Sequence, residues 1–70
     1  MAGETALELV EQHIRESEAH IARQKEVIEE LRRDGEPTEA AESLLRIFEE
    51  TLAAQQRRAD QLRLQPRSRT

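Results

Sequence analysis

Cysteine is absent from this 70-residue chain, which excludes disulfides and thiolate metal sites. Phe48 is the only aromatic residue. Val, Ile, Tyr, Phe, Trp and Thr are scarce and nowhere alternate with period two, so nothing supports a sheet. Two glycines and two prolines leave few places where a helix must break. No run approaches the roughly twenty apolar residues that a membrane span requires. The N-terminus lacks the basic region and apolar stretch of a secretory signal. A soluble, cytoplasmic protein with no membrane contact is therefore expected. Catalytic triads, metal-ligand clusters, phosphate-binding loops and nucleic-acid signatures are also missing from the residue pattern.

What remains is helix-forming. Charged residues make up 37% and apolar residues 36% of the chain, with Ala, Glu, Leu, Arg and Gln dominant, a composition typical of long helices. Seventy residues allow one small domain, and chains of this size bury too little apolar surface to be comfortably stable alone. The net charge of −4 is unevenly spread. Residues 34–56 hold six acids and one base, and residues 57–70 hold one acid and five bases.

Following the apolar residues of the first half gives Leu7, Val10, Ile14, Ser17, Ile21, Gln24, Ile28 and Leu31, a heptad seam that alternates steps of three and four. It begins at Thr5 with Glu8 three residues on, the signature of a capping box. It ends at Arg32-Arg33-Asp34-Gly35, where basic side chains suit the negative end of the helix dipole and glycine suits a left-handed closing residue. Pro37 disfavours helical geometry at Glu36, and Thr38 is the expected N-cap of a second helix. The second seam runs Ala41, Leu45, Phe48, Leu52, Gln55, Ala59 and Leu62, ending before Pro66.

The resulting fold class is all-α: an antiparallel two-helix hairpin of coiled-coil type, dimerising into a four-helix bundle. Residues 1–4 read as a flexible N-terminus and 5–64 as one helical hairpin. Within it, helix one spans about 5–33, the turn 34–37 and helix two about 38–64. Residues 65–70 read as a disordered basic tail. A short turn forces the helices antiparallel, bringing Ile28 and Leu31 near Ala41 and Leu45, and Val10 near Ala59 or Leu62. Three i, i+4 pairs are expected on the exposed faces: Glu11 with Arg15, Glu29 with Arg33 and Glu42 with Arg46.

A lone hairpin covers each seam from one side only, which makes association the natural remedy. A second stripe is available for it. Ala6, His13, His20 and Val27 run beside the first seam and Leu44 and Thr51 beside the second, with Ile47 also off the seam, a width that suits a four-helix bundle. His13, His20, Val27, Leu44 and Thr51 are thus the candidate interface. Ser17, Gln24 and Gln55 interrupt the seams with polar groups, read first as partly wet positions and second as determinants of register.

His13 and His20 with Glu16 between them invite a metal reading, but seven residues of helix span about 10.5 Å, too far for both imidazoles to share one ion. The paired Glu-x-x-His pattern of di-iron bundles is also missing. No motif activates either histidine for phosphotransfer. Two helices offer little volume for a pocket that shifts a carboxyl pKa. No metal, cofactor or enzymatic activity is expected. Arg57, Arg58, Arg63, Arg67 and Arg69 form a candidate basic contact for phosphate or an acidic partner. No aromatic is interleaved for base stacking, and the fold turns Arg57, Arg58 and Arg63 toward Glu4, Glu8 and Glu11, so nucleic acid is disfavoured.

His20-Ile21-Ala22-Arg23-Gln24, Leu31, Asp34-Gly35, Thr38, Ala41, Leu44-Leu45, Phe48-Glu49 and Thr51-Leu52 together resemble a group of short, uncharacterised bacterial helical-hairpin proteins. The resemblance covers residues 13–63. Glu36-Pro37 departs from the group's pattern, in which a His-Asp pair more often precedes the threonine. It implies a cytoplasmic bacterial protein and carries no activity with it. The functional expectation is a small self-associating interaction or adaptor protein, a homodimer with an unidentified protein partner as a further candidate. The alternative is a regulator whose basic C-terminal segment contacts nucleic acid or an acidic partner.

Overall fold

A computed structural model describes residues 5–64. They form two helices, α1 (Ala6–Arg33) and α2 (Glu39–Leu64), packed against each other as an antiparallel hairpin. The readings made for residues 1–4 and 65–70 lie outside the described residues. No described helix is long and apolar enough to cross a membrane.

Local chemistry accounts for both ends of α1. Thr5 is the N-cap, extended at φ −71° and ψ 164°. Its Oγ1 accepts the Glu8 N–H at 3.1 Å, and the Glu8 carboxylate accepts the Thr5 N–H at 3.0 Å, so two backbone donors that the helix leaves free are satisfied reciprocally. At the other end Gly35 takes the left-handed conformation, φ 72°. This lets the Glu36 N–H reach the Leu31 carbonyl at 2.8 Å and the Gly35 N–H reach Arg32 at 3.1 Å, the bond pair of a Schellman closure. A Cβ built on Gly35 meets nothing within 4 Å, so a side chain there is opposed by the backbone alone. Gly35→Ala should cost about 1 kcal/mol, lowering the thermal midpoint by about 4–8 °C, whereas Gly35→Asn should cost less because asparagine tolerates this region. Equal midpoints for the parent and the alanine variant would show that the turn does not require the left-handed residue.

The start of α2 is built differently from the expectation. Thr38 does occupy the capping place, its carbonyl accepting the Glu42 N–H at 2.8 Å. Its hydroxyl, however, donates to the Glu42 carboxylate at 3.0 Å, and that carboxylate also receives Arg32 of α1 at 3.1 Å. Ala41 stands where a capping box would need Glu or Gln. The turn is therefore tied across the hairpin through Glu42.

Every seam residue from Leu7 to Leu31 and from Ala41 to Leu62 is buried or half-buried, as the heptad period demands. Cross-helix pairs set the register. Glu11 meets Arg63 at 3.0 Å, Ser17 meets Gln55 at 2.7 Å and Arg32 meets Glu42. Ile28 shares one groove with Leu45 and Ile14 another with Ala59.

The core is thin. Among the described residues Ile28 and Ala59 are the only buried apolar ones, and no large side chain is fully enclosed. The other two buried residues are polar, Ser17 at 8% exposure and Gln24 at 9%. The partly wet reading of these two is thus corrected: they are among the driest positions in the hairpin. Each is hydrogen-bonded, as burial requires. Ser17 Oγ donates to Gln55 Oε1, and Gln24 Nε2 donates to the Ala41 carbonyl at 2.8 Å.

Candidate functional site

Writing the seam positions as a and d, an antiparallel pair places the two e positions along one edge of the hairpin and the two g positions along the other. The edges differ in chemistry. The e edge is ionic: Glu11 with Arg63 and Arg32 with Glu42 close it at either end, and the same register sets Lys25 opposite Glu49. Two of the three expected i, i+4 pairs are lost to these bridges. Glu11 and Glu42 reach across to the other helix instead of along their own, and Arg46 turns to the Ser43 hydroxyl at 3.1 Å. Only Glu29 with Arg33 forms as expected, at 3.6 Å. Cross-helix pairing prevails at the two ends of this edge, whereas Lys25 and Glu49 make no ion pair within 4.0 Å among the described residues.

The g edge carries the candidate interface. His20 reaches over the seam and stacks on Phe48, ring centroids 5.7 Å apart and planes 28° from parallel, a contact that spacing alone did not reveal. His13 and Thr51 are exposed and Val27 is half-buried. Leu44 is 41% exposed and Ile47, one turn on, 54%. On α2 these residues belong to a longer row than the sequence suggested: Ala40, Leu44, Ile47, Thr51 and Ala54 step by four and three and are all exposed. It is a second heptad stripe, about 110° around α2 from the one that faces α1. The alanines at its ends gave no signal in the sequence because alanine is at home on any helix surface.

No family model, curated protein or solved structure matches the chain. The reading of the site therefore stands on its geometry.

The candidate basic contact is only partly free. Arg63 is held by Glu11 and by Asp60 at 3.2 Å, while the Glu8 carboxylate is occupied by its capping box. Among the described residues, Arg57 and Arg58 make no ion pair within 4.0 Å and lie exposed. Arg67 and Arg69 lie outside the described residues, as does Glu4.

Grooves along the hairpin are open and lined mainly by charge. The one beside the turn runs between Ile28 and Leu45 under Lys25, Arg32, Glu42 and Arg46. Its central arginine and glutamate already bind each other. Among the described residues, no group of three or more metal-ligating side chains comes together, and His13 and His20 are not assembled around a shared point.

Proposed function

We propose that the protein is a small self-associating interaction module, a homodimer whose four helices form one bundle, with an adaptor role built on that scaffold. One observation carries this reading: the hairpin leaves its apolar residues half-covered, with Leu44 and Ile47 side by side in solvent.

The two edges support the same reading. An ionic e edge is content in water, since each exposed bridge is solvated and worth at most about 1 kcal/mol. The g edge gains by being covered, at about 25 cal/mol for each Å² of apolar surface removed from water. Binding rather than catalysis is the activity proposed.

Sedimentation equilibrium tests the reading directly. The expected result is a mass near twice 8.1 kDa at micromolar concentration, falling toward the monomer on dilution. A folded monomer at every concentration would overturn the proposal.

A further inference from the structure

Several features of the hairpin share one centre of symmetry. The exposed stripe of α2 has Ile47 at its middle, Leu44 and Thr51 to either side and an alanine at each end. Laid antiparallel on a second copy of itself about Ile47, it sets Ile47 on Ile47, Leu44 on Thr51 and Ala40 on Ala54, so small residues meet small and the row is self-complementary. The neighbouring stripe of α1 has its own centre. Val27 there would meet Val27, and Arg23 would meet Glu30 of the second copy twice, once on each side.

The α1 row can also pair with itself about His20, where Glu16 would meet Arg23, and the level of the α2 centre decides between the two. A single twofold axis perpendicular to the hairpin must cross both helices at one level. The register set by Ser17 with Gln55 and by Arg32 with Glu42 puts Ile47 level with residues 25–27, which selects the centre at Val27. Both stripes also lie on the same side of the hairpin, away from the ionic e edge.

The geometry points to a second copy of this chain docked antiparallel on this face, α2 on α2 and α1 on α1, about a twofold axis through Ile47 and Val27. This rests on the self-association reading and gives it a specific arrangement. The roughly 110° between the two stripes of α2 is near the right-angle corner of a four-helix bundle. Charge agrees with it. At each end of the overlap the acidic turn of one copy, Asp34 to Glu39, comes level with Arg57 and Arg58 of the other, exposed arginines that make no ion pair among the described residues. Among the described residues Arg23 is engaged only by an exposed contact with Glu26 at 3.4 Å, which leaves it able to reach across.

The absence of cysteine permits a clean test. Ile47→Cys and Val27→Cys, each on the axis, should form disulfide-linked dimers under mild oxidation, while Glu18→Cys on the ionic edge should not. Charge reversal adds a second measurement. Arg23→Glu alone and Glu30→Arg alone should each weaken the dimer by roughly tenfold, because each homodimer then holds two like-charge pairs. An equimolar mixture of the two variants should recover the parent affinity as a heterodimer, since both pairs are then restored. A dimer by sedimentation that cross-links through Glu18→Cys and not through Ile47→Cys, or one whose mixed charge variants stay weak, would overturn this arrangement and leave self-association standing. A monomer at all concentrations would remove both.

Discussion

Phe48→Ala is expected to be one of the two most damaging single truncations in the hairpin. Phe48 lies near the middle of the α2 seam, is the only aromatic residue, and supports the His20 ring as well as the seam. Removing an enclosed phenylalanine costs about 3–5 kcal/mol. Phe48 is half-buried, so a loss of about 2–3 kcal/mol is expected on the same scale. For a domain this small that lowers the thermal midpoint by 10 °C or more, since each kcal/mol moves it about 4–8 °C. The measurement is a circular dichroism melt of parent and variant at matched concentration. A midpoint within a few degrees of the parent would mean that Phe48 is not part of the structural core.

The second large effect is a contrast between two isoleucines. Ile28 is 7% exposed in the seam, and Ile47 is mostly exposed on the opposite stripe of the hairpin's other helix. The two truncations remove the same atoms. Ile28→Ala should cost about 2–4 kcal/mol of folding stability, and the loss should be the same at all protein concentrations. Ile47→Ala should leave the stability of the dissociated hairpin within about 0.5 kcal/mol of the parent, as for other surface substitutions. It should instead weaken the dimer, so that its midpoint falls below the parent's only where the parent is associated. Melts of both variants over a hundredfold range of concentration separate the two outcomes. If Ile47→Ala proved as damaging as Ile28→Ala at high dilution, Ile47 would belong to the fold rather than to an interface.

Much of the hairpin was legible in the sequence because its determinants are local. Heptad spacing selects the buried face of each helix, and the capping box at Thr5 and the left-handed residue at Gly35 are set by residues five or fewer positions apart. What the sequence left open depends on the other helix. The carboxylate of Glu11 has Arg15 on its own helix and Arg63 across the seam; only the register decides between them, and the register emerges from the packing of all the layers. Thr38 was recognised by place, but its hydroxyl serves Glu42 because that carboxylate is already drawn over by Arg32. Ser17 and Gln24 are dry because each finds a partner on α2, which no property of α1 reveals. Leu44, Thr51 and Ile47 could be picked out as off-seam apolar residues. Their membership in a row that begins and ends with alanine depends on which face of α2 the packing leaves exposed.

The tie between Arg32, Glu42 and Thr38 has a consequence for how the chain reaches its fold. Only a few residues separate the ends of the two helices at the turn, so closing that loop costs little chain entropy, and the polar tie forms as soon as the first turn of α2 does. Contacts farther along, such as Ser17 with Gln55 and then Glu11 with Arg63, enclose progressively longer loops and become cheap only after the earlier ones are in place. Folding is therefore expected to proceed as a zipper from the turn toward the open end, with the helix–helix contacts accumulating layer by layer. Opening runs the other way. The pair of Glu11 and Arg63 should part first and the turn last, so that backbone hydrogen exchange is expected to be slowest near Leu31 and Leu45 and to quicken toward the free ends of both helices.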